Sequence, residues 1–239
     1  MIVLIHSQLV GAAMWRPVAH ELHREKYEVA VPVLQDTEEA RVAYWQQHAE
    51  SVQRALSAVP VDRRLVLVGH SGAGPLLPVI RRSLRQQIAA YMFVDAGIPQ
   101  PGASRLDLIA AESADWFQSF HAFLVAGGRF PDWRDEDLAE EIPDQQLRYS
   151  LLAELQPRAL PFWEEPIPVF DGWPDASCAY LQFSAAYNEP AAKARDRGWL
   201  YYHLPGGHFL PLVDPQAVAR TLSSILHDLG VDQTDLDKA

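Results

Sequence analysis

A serine and a histidine stand in local sequences that suit nucleophilic catalysis. Ser71 lies in "LVLVGHSGAG" (65–74), where an apolar run ends among closely spaced glycines. His208 lies in "LPGGHFLPLVDPQAVARTL", in a glycine-led loop directly before a predicted helix. A serine hydroxyl is a weak nucleophile until a base takes its proton, and histidine serves most often as that base. The two residues therefore predict acyl-transfer chemistry, provided that the fold brings them together.

The stretch around Ser71 reads as a strand, a tight turn and the start of a helix, which is the setting of a nucleophile elbow. In the pattern G-x-S-x-G, small residues two positions either side of the serine avoid collisions with the strand and the helix. Gly69 matches, but the second position is Ala73, followed by Gly74. We predict that Ser71 projects from the carboxyl end of a central strand, where open α/β sheets bind ligands. A glycine-rich turn with an incidental serine is the alternative.

Two backbone amides are expected to stabilise the negative charge that develops on a substrate carbonyl. The amide of Gly72 directly follows the serine and opens the predicted helix, where N–H groups attract anions. The stretch "VLIHSQLVGAAMW" ends the first strand in a loop, and its amide at Gln8 is the expected second donor. Gly72 and Gln8 thus predict an oxyanion hole made of backbone atoms.

The elements that must position these residues follow from the hydrophobic pattern. Short apolar runs alternate with stretches in which apolar residues recur every three or four positions. Because the strands are apolar on both faces, we predict an α/β fold with a mostly parallel central sheet and helices on both faces. The predicted strands are MIVLI, YEVAVPVL, RLVLVGH, IAAYMFVDA, CAYLQFSA and WLYYHLPG, and the predicted helices are AMWRPVAHELHRE, ARVAYWQQHAESVQRALSAV, GPLLPVIRRSLRQ and DPQAVARTLSSILHDL.

One region, residues 99–173, lacks convincing strands and is predicted to be a mostly helical cap inserted into a single domain spanning 1–239. It contains the acidic run "PDWRDEDLAEEIPD", which is typical of a solvated helix face. It is also rich in aromatic residues, which predict packing between the cap and the sheet or, for several rings, an apolar pocket. These rings are Trp116, Phe117, Phe120, Phe123, Phe130, Trp133, Phe162, Trp163, Phe170 and Trp173.

Composition limits the partners of this 239-residue chain. A net charge of -11 disfavours nucleic acid and anionic membranes, since both require basic patches. The one cysteine, Cys178, excludes an intrachain disulfide, and no apolar run is long enough to span a bilayer, so we expect a cytoplasmic protein. No cofactor or metal is expected, because "GHSGAG" lacks the lysine of a phosphate loop and the histidines lack metal-ligand spacing. The expected partner is a small apolar or aromatic substrate, and the oligomeric state stays open.

Taken together, "VLIHSQLVGAAMWRPVAHEL", "LVLVGHSGAG" and "GGHFLPLVDPQAVA" resemble the α/β-hydrolase superfamily. The early start resembles the plant-type esterases and hydroxynitrile lyases. The resemblance implies that Ser71 is the nucleophile, that His208 is the general base and acid, and that the amides of Gly72 and Gln8 form the oxyanion hole. It matches His6 to a structural position. The superfamily usually has His-Gly there, whereas this chain has His6-Ser7.

The same resemblance implies a carboxylate that orients the histidine, and here the chain departs from the usual pattern. The expected G-x-x-D after the late strand reads "LQFSAAYNEPAAKA", so that Tyr187 or Asn188 occupies the position of the acid. Glu189 is the nearest carboxylate. The alternative is Asp95, at the end of "IAAYMFVDA", where some members such as haloalkane dehalogenases carry their acid. We favour Asp95 over Glu189, and a capping role is the other interpretation of Asp95.

Two classes of function fit these residues. The first is a serine hydrolase that cleaves a small, fairly apolar ester, thioester, lactone or amide through an acyl-enzyme. The second uses the same pocket without acyl transfer, as the resemblance to lyases, eliminating enzymes, cofactor-free oxygenases and hormone receptors implies. Fold alone does not decide between the two classes.

Overall fold

Six parallel strands form one sheet in the computed structural model, which describes residues 1–231. Every neighbouring pair of strands is parallel, as the two-sided apolar pattern predicted. Along the sheet the strands lie in the order β2-β1-β3-β4-β5-β6. In chain order they are β1 (Ile2–Ile5), β2 (Val29–Ala30), β3 (Leu65–Ser71), β4 (Ile88–Ala96), β5 (Ser177–Gln182) and β6 (Leu200–His203).

Helices cover both faces of the sheet, and the alternation of side chains along β3 explains why. Leu65 and Leu67 point into one apolar cluster, while Val66 and Val68 point into the other. The first cluster includes residues of α2 (Tyr44–Ala55), α3 (Leu77–Ser83) and α9 (Asn188–Asp196). The second includes residues of α1 (Arg16–Arg24) and α11 (Pro215–Asp228), the latter capped at its start by Asp214 as its sequence predicts.

Five helices lie between β4 and β5, inside the region predicted as the cap. Apart from an isolated bridge between Phe130 and Arg158, residues 97–176 contain no strand. Aromatic rings account for much of a separate apolar cluster within the cap, although Trp116 and Phe123 stay exposed. The cap helices are α4 (Arg105–Glu112), α5 (Ala114–Val125), α6 (Asp135–Leu138), α7 (Gln145–Leu152) and α8 (Leu160–Glu164), and α10 (Leu210–Val213) follows β6.

One predicted strand is shorter in the structure, and one helix of the structure has no predicted counterpart. The stretch "YEVAVPVL" pairs with β1 only through Val29 and Ala30, because Pro32 has no amide to extend the ladder. The sequence pattern does not predict helix α9, because its buried residues are only Pro190, Ala191 and Ala194 and give little hydrophobic contrast. Within residues 1–231, no helix combines the length and hydrophobicity that crossing a membrane requires.

Candidate active site

Ser71 ends β3 in a backbone conformation that few side chains adopt. Its φ is +57°, in the left-handed region, where a non-glycine residue is uncommon and often functional. Gly74 makes this turn possible, since a Cβ there would lie 2.1 Å from the carbonyl oxygen of Gly97. Ala73 is fully buried and its methyl group is accommodated. The residue that has to be glycine is therefore Gly74, three residues after the serine, and not the residue two after it.

A bulge in β4 turns the side chain of Asp95 towards the end of the sheet. His70 pairs with Val94 and Ser71 with Ala96, so Asp95 has no partner in β3 and adopts a φ of +41°. The hydroxyl of Tyr180 occupies the bulge, accepting from the Ala96 amide at 3.1 Å and donating to the Ala96 carbonyl at 2.7 Å. The irregularity therefore leaves no backbone group of Ala96 unpaired at this point.

Asp95 is completely buried and lies 2.8 Å, through Oδ2, from Nδ1 of His208. Its other partners are the amides of Phe183 and Ser184, at 2.9 and 3.0 Å, and the Ser184 hydroxyl at 2.7 Å. Burial acts to raise the pKa of Asp95, but the hydrogen bond and charge of His208, with the donors from Phe183 and Ser184, hold that pKa below its usual value. Asp95 is therefore a carboxylate at neutral pH.

Because a carboxylate only accepts hydrogen bonds, Nδ1 of His208 is the donor in this pair and its Nε2 is free to accept a proton. Within residues 1–231, Nε2 of His208 has no hydrogen-bond partner. The ring of His208 lies between two others, with centroid distances of 4.5 Å to His70 and 5.1 Å to Tyr187. The imidazole is thus held by Asp95 at its edge and by rings on its faces.

His70 supports His208 as a neutral ring. Its Nε2 donates to the backbone carbonyl of His208 at 3.1 Å. Burial, followed by the neighbouring charge of His208, lowers the pKa of His70 to about 3. A neutral His70 does not repel a proton that arrives on His208.

The side-chain hydrogen bond of Ser71 goes to Tyr187 rather than to His208. Ser71 Oγ lies 3.1 Å from Tyr187 Oη, and within residues 1–231 it makes no hydrogen bond to His208. Tyr187 and Ser184 are functional candidates to which the sequence analysis gave no role. The one signal in the sequence that pointed to Tyr187 was that Tyr187 or Asn188 stands where the family pattern has an aspartate.

The other candidate acid lies elsewhere. The carboxylate of Glu189 is on α9, where it pairs with Lys193 at 2.9 Å and is 44% exposed. Asn188 accepts a hydrogen bond from Gln182 at 2.6 Å. Of the two carboxylates weighed from the sequence, the structure brings Asp95 to His208 and leaves Glu189 at the surface.

The amides of Gly72 and Gln8 are both available. Within residues 1–231, neither N–H donates a hydrogen bond to the protein, while the side chain of Gln8 donates from Nε2 to the Gly72 carbonyl at 3.0 Å. His6 uses both ring nitrogens structurally, since Nδ1 donates to the Ser7 carbonyl at 2.8 Å and Nε2 accepts from the Leu34 amide at 3.1 Å. The loop that carries Gln8 is therefore tied to β3 and to the chain after β2.

The cap holds the same loop from the other side. Arg158 donates to the Gln8 carbonyl at 3.1 Å and makes a two-pronged ion pair with the buried Asp36 at 2.5 and 2.7 Å. Asp36 also lies 2.7 Å from Nε2 of His48. Burial acts to raise the pKa of Asp36, but hydrogen bonds from His48 and Arg158 lower it below its usual value. Cap and loop are thus joined through a buried ionic cluster.

A small apolar cavity of about 20 Å³ adjoins Ser71 and His208. That volume accommodates little more than one water-sized group, so a substrate must displace some of the lining side chains. A larger hollow of about 260 Å³ lies over Asp36 and Gln47, but it is open and contains none of the candidate catalytic residues. Besides Ser71 and His208, the small cavity is lined by Ser7, Leu9, Val10, Met14, His70, Trp133 and Phe209, so Trp133 is the cap aromatic among them.

Comparison with known proteins gives a family and a set of similar folds. The model of the "Alpha/beta hydrolase family" matches residues 2–221. No curated protein sequence matches the chain significantly.

Solved structures similar to this chain share its fold at low sequence identity. An extracellular alpha/beta-hydrolase from a Paenibacillus species is 17% identical, with a TM-score of 0.73 over 94% of this chain and 98% of the other. Polyneuridine aldehyde esterase is also 17% identical, with a TM-score of 0.70 over 94% and 98%. Tomato methylketone synthase I in complex with 2-tridecanone is 13% identical, with a TM-score of 0.71 over 95% and 98%.

Proposed function

We propose that this chain, which belongs to the alpha/beta hydrolase family, is a serine hydrolase of small, fairly apolar carboxylic esters, thioesters, lactones or amides. One observation carries the proposal: the buried Asp95 holds His208 by a 2.8 Å hydrogen bond, beside a serine kept in the left-handed turn that ends β3. The amides of Gly72 and Gln8, which have no hydrogen-bond partner among residues 1–231, add the donors that a tetrahedral intermediate requires.

In the proposed mechanism Ser71 turns its hydroxyl to Nε2 of His208 and attacks the substrate carbonyl. The serine proton passes to His208, a C–Oγ bond forms, and the carbonyl electron pair moves to oxygen, which the amides of Gly72 and Gln8 stabilise. The intermediate then collapses, and His208 gives its proton to the departing alcohol, thiol or amine. The negative charge of Asp95 stabilises the imidazolium while it exists.

The lining of the site supports an uncharged, apolar substrate. The small cavity is walled by Leu9, Val10 and Met14, and Trp133 closes it from the cap. A net charge of -11 disfavours anionic substrates by repulsion at long range. Two similar structures are named for ester or pyrethroid hydrolysis, which agrees with this substrate class without deciding it.

The test is labelling of Ser71 by a fluorophosphonate, combined with hydrolysis of p-nitrophenyl acetate. We expect the label on the peptide that contains Ser71 and a burst of p-nitrophenol before the steady state. Ser71→Ala should lose both, while Ser224→Ala, which alters an exposed serine on α11, serves as the matched control and should lose neither. Ester hydrolysis by Ser71→Ala above about a tenth of the wild-type rate would exclude Ser71 as the nucleophile.

A second candidate, a lyase or another cofactor-free enzyme that uses His208 as a base, is favoured by one observation. Ser71 Oγ is hydrogen-bonded to Tyr187 Oη and not to His208, an arrangement that leaves His208 free to take a proton from a substrate. Cleavage of mandelonitrile to benzaldehyde and cyanide provides the assay. Activity there, with no fluorophosphonate label and no burst, would favour this candidate over the hydrolase.

A further inference from the structure

The hydrolase mechanism leaves one polar group at the nucleophile without a role, the hydroxyl of Tyr187. It lies 3.1 Å from Ser71 Oγ, at the turn that precedes α9. The ring of Tyr187 stacks on His208 with an angle of 11° between the two planes. A single side chain therefore contacts both the proposed nucleophile and the proposed base.

The chemistry of the two hydroxyls decides which of them donates. Within residues 1–231, Ser71 Oγ is the one hydrogen-bond partner of Tyr187 Oη. Burial raises the pKa of Tyr187 above its usual value, so the phenol keeps its proton at working pH. A phenol is a more acidic donor than an alkyl hydroxyl, and in the proposed mechanism the serine turns its own proton towards Nε2 of His208. The contact permits either hydroxyl to donate, and the more acidic O–H of Tyr187 is the better donor of the two.

We propose that Tyr187 is a catalytic residue whose hydroxyl donates to Ser71 Oγ and accelerates the release of the acyl group from the serine. This inference rests on the proposed hydrolase function and names a step of it. The donor is aimed at the serine oxygen, whereas the amides of Gly72 and Gln8 are assigned to the carbonyl oxygen.

The two halves of the reaction use Ser71 Oγ in opposite ways. In deacylation, a water loses a proton to His208 and attacks the acyl carbon. The C–Oγ bond then breaks, its electron pair stays on Oγ, and His208 returns the proton to Oγ as the carboxylic acid leaves. A hydrogen bond from Tyr187 stabilises the charge that grows on Oγ as this bond breaks.

In acylation, the same hydrogen bond has no comparable benefit. Oγ attacks the substrate carbon with a lone pair, and a hydrogen bond donated to Oγ makes it a weaker nucleophile. The same hydrogen bond also makes the serine proton easier to remove. The two effects oppose each other, so removal of the Tyr187 hydroxyl should slow deacylation far more than acylation.

Tyr187→Phe isolates the hydroxyl, because it keeps the ring that stacks on His208. Loss of one neutral hydrogen bond predicts a fall of about tenfold in the deacylation rate, with acylation changed by less than about threefold. When deacylation limits turnover, kcat and KM should fall together and kcat/KM should stay nearly constant. Mass spectrometry of the quenched steady state should show more acetyl-Ser71 than in the wild type.

The control is Tyr202→Phe, which removes the hydroxyl of a tyrosine on β6 that bonds to Asp228 instead of the site. It should leave the burst, kcat and KM unchanged. Stopped-flow release of p-nitrophenol from p-nitrophenyl acetate gives both rates for each protein, and melting curves verify that each is folded.

Two outcomes separate this inference from the function on which it rests. If the wild type shows no burst and no acylation of Ser71, the hydrolase proposal fails and the role of Tyr187 fails with it. If the wild type acylates Ser71 but Tyr187→Phe deacylates at the wild-type rate, or loses kcat and kcat/KM equally, only the role of Tyr187 is overturned. Should Tyr187→Phe unfold, 3,5-difluorotyrosine at position 187 keeps the ring, is a stronger donor and must speed deacylation.

Discussion

Asp95→Asn removes one charge while keeping the shape of the side chain. The amide oxygen can still accept from the Phe183 and Ser184 amides, at 2.9 and 3.0 Å. The amide nitrogen then replaces Oδ2, 2.8 Å from Nδ1 of His208. Two N–H groups cannot face each other, so the imidazole must move its proton to Nε2, the atom that has to accept the proton of Ser71.

The wrong tautomer of His208 and the lost stabilisation of its imidazolium determine how far kcat falls. We expect kcat to fall by about a thousandfold to ten thousandfold, equivalent to about 4–5.5 kcal/mol. KM should change little, because Asp95 is completely buried and does not line the cavity beside Ser71. The free energy of unfolding should fall by about 1–3 kcal/mol, since a charged acceptor of buried hydrogen bonds is lost.

The assay is steady-state hydrolysis of p-nitrophenyl acetate well below the melting temperature of each variant. Asp175→Asn is the matched control, because Asp175 is likewise an aspartate that accepts several hydrogen bonds, from Tyr91 Oη at 2.5 Å and from Arg81 Nε at 2.7 Å, but lies before the start of β5 and away from the site. It should lower stability without lowering kcat. Glu189→Gln should retain kcat within about twofold. The reasoning is refuted if Asp95→Asn keeps more than about a tenth of the wild-type kcat, or if Asp175→Asn loses as much as Asp95→Asn.

Three further predictions concern the framework of the site. Gly74→Ala should prevent folding or inactivate the protein, because the new Cβ would lie 2.1 Å from a backbone oxygen; a soluble, active variant with an unchanged melting curve would contradict this. Arg158→Gln leaves Asp36 buried without its ion pair and should cost about 3–5 kcal/mol in denaturant unfolding, against less than about 1 kcal/mol for Arg129→Gln, whose pair with Glu38 is exposed. Burial lowers the pKa of His48 to about 4, so between about pH 4 and pH 6.5 this side chain is protonated in the unfolded chain and neutral in the folded one. The contribution of His48 to stability should therefore be fully present above about pH 6.5 and decline by at most about 3 kcal/mol as the pH falls towards about 4. A melting temperature that is constant over that range would refute the assignment.

Local sequence was sufficient to predict the architecture and to propose Ser71 and His208 as site residues. Strands such as β3 are apolar on both faces and alternate with amphipathic segments, and that pattern alone requires a sheet covered on both sides. The position of Ser71 between small residues follows from short-range sterics, which a sequence displays directly. His208 precedes a helix whose cap, Asp214, is also a local signal.

Which acid meets His208 was decided by tertiary structure. Asp95 lies at the end of one strand and Glu189 follows another, and only the bulge in β4 and the hydrogen bonds from Ser184 direct one of them to the imidazole. A bulge depends on the register between two strands, which no single segment encodes. The sequence favoured Asp95 over Glu189, but the contact that brings Asp95 to His208 depends on this register.

The same holds for the contacts of Tyr187 with Ser71 and of Arg158 with the loop that carries Gln8. The two pairs are separated by 116 and 150 residues in the chain. Periodicity and turn chemistry report on neighbours a few positions apart, whereas these contacts exist because the turn before α9 and the cap lie at the carboxyl end of the sheet. The sequence by itself determined the class of fold and the residues proposed to carry the chemistry, and packing between distant segments decided how those residues are paired.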